Sequence, residues 1–209
     1  MRPELHDLRR ESILAGARKQ FLAHGYARTK VEDVAKAARV ANATVYTYFE
    51  NKIGLFAAVV VAAFAPYEGL FDEIEHRDGA PAALLTAWTR TYFGFMAEPD
   101  IRRLYRMITA EQPVHPELAE VTYRDAHRIL GGVLRRMLTR FDQAGQLSIP
   151  DPAVATRLLQ GMVEHASLTI ALLQGDNAAP QHPLESYSDE AVRVFMAGYA
   201  PKTAPFSDG

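Results

Sequence analysis

The chain has 209 residues, 48% hydrophobic and 23% charged, enough for a buried core in one medium domain or two small ones. It has no cysteine, which excludes a disulfide framework and thiolate chemistry and makes the cytoplasm the expected setting. Net charge is −2, yet residues 1–56 carry 10 Lys and Arg against 6 Asp and Glu, and the remainder is acidic. The electrostatic footprint of a nucleic-acid contact is therefore expected at one end.

Met1 to Arg10 is polar, so no signal peptide is expected. The longest apolar stretch, Leu55 to Ala65, is too short to span a bilayer, so no membrane partner is expected. Strand signals are nearly absent and helical periodicity recurs, which predicts an all-α chain. A first helix is predicted from about Leu8 to His24, with Ile13, Leu14, Ala17, Phe21 and Leu22 on its apolar face and Gly25 as its stop. Thr29 and Glu32 have capping-box spacing, which predicts a second helix opening at Thr29 and ending near Ala38. A third helix follows after about three residues. Val40 and Val45 fit a hydrophobic staple around Ala41, and Phe49 continues the buried face. A fourth helix starts near Lys52, and Pro66 is expected to kink or divide it.

Beyond Gly79 larger helices are predicted: Pro81 to Ala97, one capped by Asp100 reaching about Ala110, and a long one from Pro116 through Gly131-Gly132 to about Gly145. Asp151-Pro152 reads as an N-cap followed by Pro at the first helical position, opening a helix to about Leu173. A loop over 175–187 and a last helix capped by Ser188 complete the series.

Two short helices joined by a tight turn and buttressed by a preceding helix make a helix-turn-helix, which presents one helix to a major groove. The runs Phe21-Leu22-Ala23-His24-Gly25-Tyr26, Thr29-Lys30-Val31-Glu32-Asp33-Val34-Ala35, Thr44-Val45-Tyr46-Thr47-Tyr48-Phe49-Glu50-Asn51-Lys52 and Leu55-Phe56 resemble the signature of the tetracycline-repressor family of transcription regulators. The likeness covers roughly residues 8–60.

It implies a three-helix DNA-binding domain over 1–54 and a helical ligand-binding and dimerisation bundle over 55–209. It also implies a ligand-responsive regulator, more often a repressor, that uses no cofactor and is not an enzyme. Thr29 and Lys30 resemble phosphate contacts, and Asn42, Ala43 and Thr44 resemble groove-reading positions. Tyr46 and Thr47 would reach bases or sugars, and Tyr48 and Lys52 resemble backbone clamps. Alternatively the three aromatics form a core cluster, a reading adopted here for Phe49, and Lys52 is a solvated end charge. Two departures from the family pattern stand out. Arg39 occupies a turn position where the family has Gly, at about 1–2 kcal/mol of strain if it is left-handed. Ala41 stands where a capping residue is usual, and Asn42 is the alternative cap.

In the body, Phe64, Tyr67, Trp88, Tyr92, Phe95, Met96, Tyr105, Tyr123 and His127 are candidate pocket residues for a small apolar or aromatic effector, with Glu164 as a second orienting group. Each is individually compatible with ordinary core. His115, His127 and His165 give no short ligand pair, so no metal is expected. The helix from Asp151 is apolar on most sides and the last helix adds more. Leu158, Met162, Ala166, Ile170, Phe195 and Tyr199 are the expected homodimer interface, on a pseudo-palindromic double-stranded operator. The alternative is a helical adaptor or small-molecule-binding protein without operator binding. No nucleophile–base pair or phosphate loop supports an enzyme.

Overall fold

The computed structural model describes the backbone of residues 3–175 and 184–201, and the side chains of all these except 3–4, 121–122, 125–128 and 184. Among the described residues, twelve α-helices and two π segments account for the regular structure and no strand occurs. They are α1 (Pro3–Arg28), α2 (Val31–Ala38), α3 (Asn42–Tyr48), α4 (Lys52–Ala62), α5 (Ala65–His76), α6 (Pro81–Ala97), α7 (Pro99–Glu111), α8 (Pro116–Ala126), α9 (Gly132–Gln143), α10 (Pro152–Glu164), α11 (Ile170–Gln174) and α12 (Leu184–Gly198). The π segments are His127–Gly131 and His165–Thr169. The chain divides into two compact units: residues 1–66 with 99–126, and residues 67–98 with 127–209.

In the first unit α1 packs on α2, α4 and α7, while α4 packs on α8. Ile13, Ala17 and Phe21 of α1 are fully buried with Val34, Val45, Leu55 and Phe56. Phe21 and Tyr26 both meet the edge of the Phe56 ring, at 5.0 and 5.4 Å between centroids. Gly16 allows α1 and α2 to approach. A Cβ there would lie 3.2 Å from the Ala38 amide nitrogen and 3.3 Å from the Val34 carbonyl oxygen. Gly25, at φ 77°, breaks the helical path of α1 as its stop position predicts.

Three expected starts are corrected here. The first helix begins at Pro3, not Leu8. The Thr29–Glu32 capping box is not formed: α2 begins at Val31, with Lys30 as N-cap and no side-chain cap bond. The Thr29 hydroxyl instead donates to the Gln20 and Gly25 carbonyls, at 3.2 and 2.7 Å, because the residue is 4% exposed and satisfies the end of α1. Asp100 does not open α7. Pro99 does, and the Asp100 carboxylate pairs with Arg18 at 2.8 Å.

Pro66 acts as expected. It has no N–H to offer the Ala62 carbonyl, and α4 ends at Ala62.

In the second unit α6 packs on α12, α10 and the second π segment, and α9 packs on α10. Asp151 caps α10 as expected, its side chain accepting from Ala153 N at 2.8 Å and Val154 N at 3.1 Å. The long helix from Pro116 passes through the π segment at Gly131 and ends at Gln143, close to the expected Gly145. Ser188 does not cap the last helix: α12 starts at Leu184 and buries Ser188 in its interior. Arg136 grips both Glu75 oxygens at 2.6 Å, and Arg140 donates to the Glu75 carbonyl. These bonds tie α5 to α9.

Candidate nucleic-acid interface and effector site

The N-cap of α3 is Ala41, extended and without a side-chain bond, and Thr44 N returns to its carbonyl at 2.9 Å. Asn42 is therefore the first helical residue and not the cap. Val45 and Phe49 are buried, which fixes the rotation of α3 about its axis. That rotation leaves Ala43 and Thr47 exposed, Asn42 and Thr44 half-buried, and Tyr46 49% exposed. A large aromatic is left in water at the centre of a short helix whose opposite side is anchored. Asn42 Oδ1 and Tyr48 Oη are buried polar atoms with no partner.

Two residues of α1 that the sequence reading did not single out join this edge: His6, ahead of the expected helix start, and Arg10, inside the expected helix. His6 lies 4.6 Å from the Tyr48 ring, and the Arg10 guanidinium sits 5.7 Å over Phe49. The signal available was the basic Arg9-Arg10 pair just ahead of the helical periodicity.

The turn between α2 and α3 is built on Arg39 at φ 56°, ψ 42°. Its N–H returns to Lys36 and that of Val40 to Ala35, at 3.1 and 3.0 Å, closing α2 with a left-handed residue where glycine is usual. The strained option considered for Arg39 is the one adopted.

Lys30 is exposed. Lys52 is half-buried: its Nζ donates to the Ala27 carbonyl at 3.1 Å and lies 4.5 Å over the Tyr26 ring. Burial pushes its pKa down, and Glu111 opposes that shift. Ala27 N–H donates to the Glu111 carboxylate at 3.2 Å, so the Ala27 peptide is held from both sides. Burial, with Glu111 and Glu117 nearby, pushes the Tyr26 phenol up to about 12.

Of the candidate effector residues, Phe64, Tyr105 and Tyr123 belong to the first unit. Phe64 is buried and Tyr123 is 62% exposed. The His127 side chain lies outside the described residues. Tyr67, Trp88, Tyr92, Phe95 and Met96 belong to the second unit, and the last four are buried. Trp88 and Tyr92 stack at 4.7 Å between centroids, and Tyr67 meets Phe95 edge-on at 5.0 Å. The Tyr92 hydroxyl donates to Glu164, and the Tyr67 hydroxyl donates to Glu98 at 2.9 Å. Burial, with the Glu98 bond, pushes the Tyr67 phenol up to about 12.

Among the described residues, one set of metal-ligand types converges: Asp72, Glu75 and His76, with ligand atoms within 4.8 Å. Glu75 is committed to Arg136 there, and neither His115 nor His165 joins the set.

Of the candidate dimer residues, Ala166 and Phe195 are buried within the unit, and Ile170 and Tyr199 are half-buried. Leu158 and Met162 are exposed and continue a stripe with Val154 along α10. Met162 also lines an open groove of about 430 Å³ with Tyr187, Ala191 and Val194 of α12.

Residues 13–59 match the family model described as bacterial regulatory proteins, tetR family. Residues 83–201 match that of the AefR-like transcriptional repressor C-terminal domain. YhgD of Bacillus subtilis (strain 168), an uncharacterized HTH-type transcriptional regulator, is 37% identical over 65 residues, 31% of this chain and 34% of that protein. The chain thus spans about a third of that curated relative, 34% of its length. Among solved structures, a chain assigned to the TetR family from Mesorhizobium loti MAFF303099 superposes with TM-score 0.79 at 23% identity, over 92% of this chain and 96% of that one. The regulator FadR of Bacillus subtilis, solved in complex with stearoyl-CoA, superposes with TM-score 0.70 at 18% identity, over 90% and 98%. At these identities the two structures show a shared fold.

Proposed function

The chain belongs to the tetR family of bacterial regulatory proteins, and from that membership we propose that it is a dimeric repressor released from operator DNA by a small apolar or aromatic effector. It acts by binding and not by catalysis, in the cytoplasm, with residues 1–54 as the DNA-reading head and 55–209 as the body. The observation that carries this reading is α3, locked by Val45 and Phe49 while Ala43, Tyr46 and Thr47 stand in water. A helix presenting a methyl, a hydroxyl and one tyrosine on a fixed face suits a major groove.

Asn42, Ala43 and Thr44 read base edges, and Tyr46 and Thr47 reach bases or sugars. Tyr48, Lys30 and Lys52 hold phosphates, with His6 and Arg10 added at the same edge. Thr29 serves the head by bracing α1, since its hydroxyl is taken by backbone. Lys52 must leave the Ala27 carbonyl and the Tyr26 ring to reach a phosphate. Tyr67, Trp88, Tyr92, Phe95 and Met96 face the effector. Leu158 and Met162 of α10, beside the α12 groove, meet the same face of a second copy. A twofold then places two α3 helices on half-sites.

The deciding experiment is a titration of the protein on its own upstream intergenic DNA at two salt concentrations, with Tyr48→Ala alongside. Tight binding that weakens with salt and with the substitution supports the reading. Binding no tighter than to random DNA would defeat it.

A further inference from the structure

The interior of the second unit holds polar atoms that hydrophobic packing leaves unexplained. Trp88 and Tyr92 lie one turn apart on α6, both buried and stacked. The Tyr92 hydroxyl reaches across to Oε1 of Glu164, the last residue of α10. One turn earlier on the same face of α10 stands Gln160, 4% exposed. Trp88 Nε1 and Gln160 Oε1 are both buried without a hydrogen-bond partner. Glu164 is half-buried, and among the described residues no lysine, arginine or histidine pairs with it. Immediately after it α10 gives way to the π segment His165–Thr169, a helix irregularity frequent at functional sites.

These features select a ligand by charge. A carboxylate partly removed from water, bonded to the Tyr92 hydroxyl, has no compensating cation among the described residues. An unpaired amide oxygen one turn away asks for a donor. The faces of a stacked Trp–Tyr pair attract a cation. An anionic ligand would meet repulsion from Glu164, and a purely apolar one would leave all three groups unanswered.

We propose that the effector is an organic ammonium or amidinium on an apolar or aromatic body, its N–H groups held by Glu164 and Gln160 beside Trp88 and Tyr92. This rests on the effector-binding reading above and narrows it to one ligand class. The Trp88 N–H remains available to an acceptor atom on a larger ligand.

Trp88 is the single tryptophan of the chain, so its emission reports on this site alone. The full-length protein is titrated with three probes of one skeleton: 4-phenylbutylammonium, 4-phenylbutanol and 4-phenylbutanoate. The ammonium should bind about tenfold or more tighter than the alcohol, with the carboxylate weakest. Glu164→Gln should remove that preference. Alcohol or carboxylate binding as tightly as the ammonium overturns the proposal and leaves the effector pocket standing. No response of Trp88 to any probe overturns both. The comparison of probes on the unmodified protein needs no variant to fold, and an unchanged preference in a folded Glu164→Gln protein also overturns the assignment.

Discussion

Replacing Gly16 with Ala tests how the head is built. The new Cβ would lie 3.2 Å from Ala38 N, 3.3 Å from Val34 O and 3.4 Å from Ala38 Cβ. Two of these are backbone atoms of α2, which cannot rotate away as a side chain tip would. Restoring ordinary contact requires α2 to recede from α1 by about 0.2–0.4 Å. Alanine gains about 1 kcal/mol of helix propensity over glycine, and overpacking costs about 1–3 kcal/mol. The net is a loss of about 1 kcal/mol, or about 2–4 °C in Tm for a chain of this size. Gly69→Ala in α5 is the matched control: nothing lies within 4 Å of its Cβ. It should gain about 0.5–1 kcal/mol. The same chemical change is therefore expected to act with opposite sign at the two positions. Thermal unfolding followed by circular dichroism measures both. Because α2 carries α3 through a short turn, Gly16→Ala should also weaken operator binding under conditions where the protein is fully folded. A midpoint for Gly16→Ala that rises as much as that of Gly69→Ala would refute the close approach of α1 and α2.

Three further substitutions have defined outcomes. Arg39→Gly relieves a left-handed residue at φ 56° and should stabilise the protein by about 1 kcal/mol in denaturant titration; destabilisation would mean that the arginine side chain holds the turn. Glu75 has its pKa lowered below 4.5, first by the Arg136 hydrogen bonds and against the opposing effect of burial. Its contribution to stability is thus complete above pH 4.5 and is lost as pH falls through the lowered folded value. Glu75→Gln should flatten the acid limb of the Tm-versus-pH curve, and an identical acid limb would argue against the pair. Leu158 is 50% exposed on α10, and Leu158→Asp should turn a dimer into a monomer in analytical ultracentrifugation with little change in helicity; a dimer of unchanged affinity would place the interface elsewhere.

Much of the head was legible because its signals are local. Gly25, the apolar spacing of α1 and the Val45–Phe49 anchor each act within one or two turns, so periodicity and stop residues locate the helices. The Asp151 cap of α10 and the break before Pro66 were equally readable, since a cap and a missing N–H are properties of a few adjacent residues. Thr29 misled for the complementary reason. Its spacing to Glu32 fits a capping box, but the carbonyls of Gln20 and Gly25 compete for the same hydroxyl, and only the packed end of α1 brings them near. Ser188 misled for a different reason: α12 starts at Leu184, so Ser188 lies inside the helix, buried, with its hydroxyl unpartnered.

The amino-acid order alone determined the all-helical character, the helix-turn-helix and the face of α3 that stays in water, because hydrophobic periodicity dictates which side of a short helix is buried. Tertiary structure decided which polar groups are already spent and which are not. The sequence offers Lys52 as a phosphate clamp and Glu164 as an effector-orienting group, but does not show what either one touches. Folding holds Lys52 on the Ala27 carbonyl and the Tyr26 ring, and among the described residues leaves Glu164 with Tyr92 but no cation. The partners lie 25, 26 and 72 residues away in the chain, and hydrogen bonds and ion pairs between such residues depend on angles and distances that only the packed helices set.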